Sequence, residues 1–515
     1  MPADVGGAVT SYRLLETTRA YAREKLVESG EADRFARHHA GYYRSLFERA
    51  QAEWETQPTV EWMALYGRHL DNVRAALDWA FAPGGVADVG VALTASAVPL
   101  WFQLSLVDEC RGRVERALAA NESASGSGAR REMQLRAALG WSLMYTRSPA
   151  RETGEAWRAA LELAERLDDT DYQLRALWGL WAGHHNNAQF PAALDFGKRF
   201  LSLAADTAEA DALVGVRLVG TSLHFMGDQA TAREHMERVM ARYVTPVRRS
   251  HIVRFQFEQR VQARSTLARV LWLQGFADQA LRTVESNIDA ALAMHHTLSL
   301  CNALAQAACP VTLFAGDLAA AERFSEMLLQ HTASHGLDVW NACGRSFKGM
   351  LLIKRSEVEQ GLGLLRAGVE EQAEARFGQY LTTFLGPLAE GLAGAGHVAQ
   401  GLATIDEALA RSASSEERWI FPELLRIKGE LLVLDGGREA LTTAEGLFRQ
   451  AIDWAHRQGA LAWELRAATS LAGLWHRERR TSQARKLLAG VHRRFTEGFD
   501  TADLTTEKAL LGSLR

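Results

Sequence analysis

The sequence predicts an all-α fold, a superhelix of stacked antiparallel helical hairpins, and three observations support that prediction. Only ten of the 515 residues are proline, and alanine and leucine are abundant, which favours helix. In three segments an apolar helix ends at a glycine, and an alanine follows five residues later. The three pairs are Gly227 and Ala232, Gly275 and Ala280, and Gly316 and Ala321. Weaker copies follow towards the C-terminus, roughly every 40 to 48 residues, as in arrays of stacked repeats.

Each part of this pattern has a physical reason. A glycine suits the left-handed residue that ends a helix, and a small alanine lets the second helix pack closely on the first. We therefore expect about ten hairpins in one superhelix. The pattern resembles tetratricopeptide repeats, with helices longer than their usual unit of about 34 residues allows. A flexible linker is predicted near residues 120–131, "ANESASGSGARR".

The N-terminal segment differs from the rest of the chain. Residues 12–16, in "SYRLLE", predict one short strand, and a helix from Thr17 to Ser29 follows and stops at Gly30. A single strand cannot satisfy its own hydrogen-bond ladder. We therefore expect residues 12–16 to be frayed or docked on the first hairpin.

The net charge of the chain gives no general attraction to nucleic acid or anionic lipid. It is −4 at pH 7, with an isoelectric point near 6.5. Residues 11–49 carry eight Lys/Arg against six Asp/Glu, too small an excess for several phosphate contacts. We expect no direct DNA binding by this chain alone.

Cysteine usage and hydropathy indicate a cytoplasmic protein without a membrane segment. The four cysteines, Cys110, Cys301, Cys309 and Cys343, are widely spaced and form no C-x-x-C pair. The N-terminus "MPADVGGAVT" lacks the features of a signal peptide. The most apolar run, residues 89–107, contains Pro99 and polar interruptions, so it predicts a buried helix pair.

Five stretches carry a resemblance to a known family. They are "YRLLETTRAYAREKL…SGEADRFARHHAGYY" near the N-terminus, "LDNVRAALDWAF" (70–81), "ERWIFPELLRIKGELLV" (417–433), "AIDWAHRQGALAWELRAATSLAGLW" (451–475) and "RRFTEGFDTADLTTEKALL" (493–511). Together they resemble the C-terminal sensor region of bacterial STAND-type predicted ATPases, signal-transduction regulators often fused to a winged-helix DNA-binding domain.

The resemblance implies a domain division and a missing module. Residues 1–50 would be a winged-helix remnant with connecting helices, and residues 51–515 the tetratricopeptide-like array. An ATPase and DNA-binding module encoded upstream would be a partner. The family's ATP binding does not carry over, because the chain has no G-x-x-x-x-G-K-[ST] loop and its one G-K pair, Gly197-Lys198, follows no glycine-rich loop. We expect no cofactor.

No catalytic or metal-binding motif emerges from the sequence, which predicts a protein that is not an enzyme. His331 and His335 share a helix face and could ligate a metal, but with no carboxylate between them and Gly336 directly after, two imidazoles near a helix C-terminus are the favoured interpretation. We predict no metal site there. Cys301 and Cys309 lie on one apolar helix and read as core residues rather than reactive thiols.

Two sets of residues are candidates for ligand or partner binding. Trp178 and Trp181 share one helix face and predict either inter-helix packing or an aromatic shelf facing a ligand. Residues 248–275 predict one long helix on which Arg254, Phe257, Arg260 and Arg264 share a face. That face suits an anionic ligand or an acidic partner segment. Pairing of these arginines with acidic residues on the next hairpin is the alternative.

These observations favour a non-enzymatic sensor, the ligand- or protein-sensing arm of a STAND-like transcriptional regulator working in signal transduction. A protein partner or a small inducer would bind in the concave groove of the superhelix. A free-standing scaffold for protein–protein interactions is the alternative, and a helical-fold enzyme is a more remote one.

Overall fold

The computed structural model describes residues 15–54, 56–57, 59–104, 106–121, 128–145, 150–245 and 251–514. Within these ranges the chain is all helix and turn, as the composition predicts. It falls into two compact units, one ending at Ser142 and the other beginning at Leu143.

The first unit consists of helices joined by short connections. Its helices are α1 Glu16–Glu28, α2 Ala32–Trp54, α3 Thr59–Tyr66, α4 Leu70–Ala80, α5 Ala87–Gln103, α6 Val107–Asn121 and α7 Gly128–Tyr145, whose last residues belong to the second unit. α2 packs against α4 and α5, and α5 packs against α6. The apolar run at 89–107 therefore falls on the buried α5, which continues through Pro99, and the start of α6.

The predictions for the N-terminal part hold only in part. The helix predicted from Thr17 to Ser29 is α1, and Gly30 follows with a φ of 72°. The strand prediction is wrong at Glu16, which is already the first residue of α1. A strand without neighbours leaves its backbone groups unpaired, whereas a helix pairs them within itself. Residues 12–14 lie outside the described residues, and so do residues 122–127 of the predicted linker.

The second unit is a succession of helical hairpins. Its helices are α8 Ala150–Arg166, α9 Thr170–Asn186, α10 Phe190–Ala204, α11 Glu209–Phe225, α12 Gln229–Arg242, α13 His251–Phe255, α14 Gln259–Leu273, α15 Ala277–Ala293, α16 Thr297–Ala303, α17 Cys309–Ala315, α18 Leu318–His335, α19 Asp338–Lys354, α20 Val358–Glu374, α21 Leu381–Gly394, α22 Val398–Ser414, α23 Phe421–Asp435, α24 Arg438–Gln458, α25 Leu461–Arg477, α26 Thr481–His492 and α27 Ala502–Ser513. Consecutive helices pack on each other along most of this array, and the first helices of adjacent hairpins also touch. This confirms the predicted tetratricopeptide-like fold.

The turns inside the hairpins confirm the predicted glycine pattern. Gly227, Gly275 and Gly316 have φ values of 93°, 91° and 83° and end α11, α14 and α17. The alanines five residues later, Ala232, Ala280 and Ala321, are at most 1% exposed. Close packing of the two helices in each hairpin therefore depends on both small residues.

Later hairpins of the second unit dock onto the turns of earlier ones. The carbonyl oxygen of Phe225, at the end of α11, accepts hydrogen bonds from the backbone N–H groups of Arg418 (2.9 Å) and Trp419 (3.2 Å). The carbonyl oxygen of Phe314, in α17, accepts one from Nη2 of Arg466 at 2.8 Å. Contacts between residues distant in the sequence thus stabilise the array at the hairpin turns.

Gly316 lies at one of these docking points, and we expect Gly316→Ala to disrupt it. A Cβ at this position would lie 2.6 Å from Cβ of Ala502, the first residue of α27, in addition to the strain of the left-handed backbone. Gly396→Ala is the matched control, because Gly396 has a φ of 87° and a Cβ there would meet nothing within 4 Å. The control should lose about 1 kcal/mol of stability, the strain alone. Gly316→Ala should lose clearly more and should speed amide exchange in α27; equal losses and unchanged exchange would contradict the docking.

One helical stretch of the described residues, Thr297–Ala315, is long and apolar enough to span a membrane. It comprises α16, five residues in π-helical conformation and α17, and 89% of its most apolar window is buried inside the protein. Such burial is typical of a core helix.

Candidate ligand cleft

A cleft with an open volume of about 910 Å³ lies within the second unit. It is lined by the first helices of successive hairpins, α9, α11, α14 and α16, by the start of α19, and by the short 3₁₀ turn Gly378–Tyr380. Two of these helices, α9 and α14, carry candidate binding residues that the sequence singled out.

One wall of the cleft is a row of aromatic rings. The centroids of Trp178 and Phe257 are 6.4 Å apart, and those of Phe257 and Trp340 are also 6.4 Å apart, with an interplanar angle of 21°. Phe377 and Tyr380 line another side, with their centroids 5.8 Å apart. Phe257, Trp340 and Phe377 are half-buried and provide apolar surface to the cleft, whereas Trp178 and Tyr380 are buried.

Trp181 and His185 lie one helical turn apart on α9 and both line the cleft. Their rings stack with centroids 4.9 Å apart, and Nε1 of Trp181 donates a hydrogen bond to Oγ of Ser222 at 3.0 Å. Burial, aided by the nearby charges of Arg269 and Arg217, lowers the pKa of His185 to about 3, so this ring is neutral at pH 7. Its Nδ1 has no hydrogen-bond partner among the described residues.

Arg217 is the charged side chain of the cleft. It is 2% exposed, its guanidinium lies over the ring of Trp181 at 5.2 Å, and its Nε donates to Oε1 of Gln259 at 2.8 Å. Burial lowers its pKa to about 9, while Tyr243 and Glu258 act in the opposite direction. The group therefore stays charged at pH 7, although no carboxylate of the described chain forms an ion pair with it.

A second buried guanidinium lies next to the cleft. Arg269 is 5% exposed, lies over the rings of Trp419 and Phe225, and donates through Nη1 to Oε1 of the cleft residue Gln306 at 3.2 Å. Burial lowers its pKa to about 10, while Tyr380 and Glu417 raise it. The side of the cleft near His185 thus carries two buried cations.

Glu417 is a buried carboxyl group whose charge raises the pKa of Arg269. It is fully buried and accepts hydrogen bonds from Oγ1 of Thr382 (2.5 Å) and Nε1 of Trp419 (2.7 Å). Burial raises its pKa to about 7 against the effect of these hydrogen bonds and of Arg269. At neutral pH it therefore offsets the charge of Arg269 only in part.

Uncharged polar groups complete the lining. Gln262 donates to Oδ1 of Asn302 at 2.6 Å, and the hydroxyl groups of Thr221 and Thr266 are 3.3 Å apart. Gln379 is 1% exposed, and its Nε2 has no acceptor within the described part of the chain. The cleft therefore contains polar atoms that a ligand could pair.

Of the residues singled out from the sequence, Trp178, Trp181 and Phe257 come together at the cleft. Trp178 and Trp181 are only 1% and 6% exposed, so their rings are mostly packed between helices, the first of the two alternatives that the sequence offered. Arg260 and Arg264 are half-buried on α14 and do not belong to its lining; Nη2 of Arg260 donates to the carbonyl oxygen of Met240 at 3.4 Å.

Arg254 belongs to a buried ion-pair network. Its side chain is 4% exposed, with Nη1 2.6 Å from Oδ1 of Asp211 and Nε 2.7 Å from Oδ1 of Asp171. His251 also contacts Asp211, at 2.8 Å. Acidic residues thus pair with this arginine, but they are aspartates on the earlier helices α9 and α11 and not residues of the next hairpin.

The prediction of a single long helix over residues 248–275 is wrong. α13 ends at Phe255, Gln256 has a φ of 64°, and α14 begins at Gln259, with the Glu258 carboxylate accepting from the N–H of Val261 at 2.7 Å. Residues 248–250 lie outside the described residues. The break directs Phe257 to the cleft and Arg254 to Asp211.

Sequence reasoning missed Arg217 and Arg269. Each is a single arginine inside an apolar helix, in "LVGVRLVG" (213–220) and "TLARVLWL" (266–273). A single arginine within an apolar helix could have indicated a functional residue, because the helix must bury it and a buried charge needs a partner.

Other candidate sites have structural explanations. Nδ1 of His335 contacts the carbonyl oxygen of His331 at 2.8 Å, and no group of three metal-ligating side chains occurs in the described ranges. Cys301 and Cys309 are fully buried, and burial raises the pKa of both thiols. Gly197 lies in the middle of α10, so the Gly197-Lys198 pair is not part of a phosphate-binding loop.

The sequence comparison finds transcriptional regulators. A stretch of 96 residues is 42% identical to proteins with provisional names as HTH-type transcriptional regulators from Mycobacterium tuberculosis (strain ATCC 25618 / H37Rv) and Mycobacterium bovis (strain ATCC BAA-935 / AF2122/97). The match covers 18% of this chain and only 10% of each relative's length. No protein-family model matches the chain.

The structural comparison finds helical-repeat proteins. A chain of the APC/C hetero-tetramer Cut9–Hcn1 is 12% identical, with a TM-score of 0.49, over 96% of this chain and 92% of its own length. A Rap protein in complex with competence and sporulation factor is 13% identical, with a TM-score of 0.38, over 82% of this chain and 99% of its own. At these identities and TM-scores neither similarity says anything about the function of this chain.

Proposed function

We propose that this chain is the sensing module of a STAND-like transcriptional regulator, and that the cleft of the second unit is its ligand site. The observation that carries the proposal is the convergence of half-buried aromatic rings and the buried guanidinium of Arg217, which no carboxylate of the described residues pairs, on one open cleft. Trp178, Trp181 and Phe257, which the sequence singled out, are part of this lining.

The regulatory part of the proposal draws on two further supports. One is the family resemblance of the quoted sequence stretches, and the other is the 42% identity to HTH-type regulators over 96 residues. The partner we propose is an ATPase and DNA-binding module encoded upstream, acting with this chain in the cytoplasm. The module binds its ligand and carries out no catalytic step.

A comparison of transcripts tests the proposal in the source organism. Deleting the gene should change a defined set of transcripts, and Phe257→Ala with Trp340→Ala should change the same set, because both half-buried rings line the cleft. Phe499→Ala is the control, since this ring is 51% exposed and lies outside the cleft lining. A free-standing scaffold predicts no such change, so unaltered transcripts after the deletion would contradict a regulatory role.

A further inference from the structure

We propose that the ligand of the cleft is a small organic anion, with a carboxylate or phosphate group bound at Arg217 and a flat aromatic body held along Phe257 and Trp340. This inference rests on the proposed function and assigns a chemical class to its ligand.

The anionic group follows from the charge balance of the cleft. Arg217 is 2% exposed, and among the described residues it hydrogen-bonds only Gln259, through Nε. A buried cation without a carboxylate partner is unfavourable, and an anion that reaches it restores the lost interaction with solvent. The planar guanidinium offers parallel N–H groups that match carboxylate and phosphate oxygens.

The neighbouring charges support the same sign of ligand. Arg269 adds a second buried cation on the side of His185, and the raised pKa of Glu417 leaves that cation only partly neutralised at pH 7. The carboxylate in the cleft lining is Asp338, which is exposed. The buried part of the cleft therefore favours an anion.

The flat body follows from the aromatic row. The rings of Phe257 and Trp340 are nearly parallel, with their centroids 6.4 Å apart. Trp178, whose centroid is also 6.4 Å from that of Phe257, is 1% exposed and contacts that ring rather than the ligand. Both Phe257 and Trp340 are half-buried and have ring surface to offer a ligand. The cleft is a concave site between the first helices of several hairpins, so we commit to a small molecule as its occupant.

The unpaired polar atoms provide neutral contacts beside the anion. Nδ1 of His185 and Nε2 of Gln379 have no hydrogen-bond partner in the described ranges, and these side chains are 4% and 1% exposed. Burial keeps His185 neutral, so it can accept or donate one hydrogen bond without adding charge.

Matched probes test the charge requirement by calorimetric titration of the full chain. The probes are 1-naphthaleneacetate, 1-naphthyl phosphate and the neutral 1-naphthaleneacetamide, which share one aromatic body; acetate and inorganic phosphate test the anion without that body. We expect at least one naphthyl anion to bind about tenfold tighter than the amide, the range of a charge-assisted hydrogen bond. The stronger of the two anions identifies carboxylate or phosphate as the natural group.

Variants then locate the binding site. Arg217→Met should remove the preference for the anion and leave the affinity for the amide unchanged, and Arg217→Lys should retain part of the preference. Arg264→Met is the control, because this half-buried arginine lies on the adjacent α14 outside the cleft lining. The melting temperature of Arg217→Met should not fall, since the substitution removes a buried charge, and this keeps the comparison interpretable.

Three outcomes would overturn the inference: equal affinity for anion and amide, a preference that survives Arg217→Met, or no binding of any naphthyl probe. None of these decides the proposed function, which is tested separately by the transcript comparison. Binding lost in the control as well as in Arg217→Met would also contradict the assignment to this cleft.

Discussion

Replacing Arg254 with methionine is expected to lower the stability of the second unit by about 3 kcal/mol. The substitution leaves Asp211 and Asp171 without the guanidinium that lies 2.6 Å and 2.7 Å from their Oδ1 atoms. Burial raises the pKa of Asp211, but the hydrogen bonds from His251 and Arg254 outweigh it and lower the pKa to about 2. Thermal unfolding at pH 7 measures the loss as a fall in Tm of several degrees.

Arg264→Met is the matched control for this prediction. Arg264 was singled out from the same stretch of sequence, but it is half-buried and forms no ion pair in the described part of the chain. The control should lose less than about 1 kcal/mol. If the two variants have the same Tm, the Arg254 network contributes nothing to stability and the account of this region is wrong.

Replacing Glu417 with glutamine is expected to stabilise the protein, and more so as the pH rises. Burial raises the pKa of this carboxyl group to about 7, so the folded state binds its proton more tightly than the unfolded chain does. The wild type therefore loses stability as the pH rises from about 4.5 to about 7, and the loss persists above that range. Glutamine keeps partners for Thr382 and Trp419 without the charge.

The difference between Glu417→Gln and wild type should grow by about 2 kcal/mol between pH 5 and pH 8. Urea unfolding at both pH values measures it. Glu423→Gln is the contrasting control: burial raises the pKa of Glu423, but Arg426 and Arg466 outweigh it and lower the pKa to about 2. That variant should be less stable than wild type at both pH values, and a pH-independent gain for Glu417→Gln would contradict its raised pKa.

The hairpin array could be predicted because its signals are local. The glycine at the turn and the alanine at the helix contact both act within a single hairpin. Gly227, Gly275 and Gly316 all have the positive φ that this pattern predicts. The same applies to α1, which ends before Gly30.

The break between α13 and α14 could not be predicted, because contacts from elsewhere in the fold stabilise it. Gln256 has a positive φ, a conformation in which glycine or asparagine is usually found. Because the residue here is glutamine, the sequence did not indicate a helix break. The backbone N–H of Glu258 donates to Oγ of Ser299, which is on α16 and distant in sequence. The helical periodicity of the sequence therefore predicted one continuous helix, with Arg254 and Phe257 wrongly placed on the same face.

The candidate site was predicted in its aromatic part and missed in its charged part. Trp178 and Trp181 lie three residues apart on one helix face, a spacing that the sequence shows directly. Arg217 differs from a paired core arginine only in lacking a carboxylate partner. That difference depends on the three-dimensional contacts of the side chain and cannot be read from the sequence. The three-dimensional arrangement was needed to separate Arg217 from Arg254.

The claim that the cleft of the second unit is a ligand site is tested most directly by a crystal structure of the chain with 1-naphthyl phosphate. The account predicts the phosphate within hydrogen-bond distance of the terminal nitrogens of Arg217, with the naphthyl rings against Phe257 and Trp340. A naphthyl phosphate bound elsewhere on the chain, with the cleft empty, would contradict it.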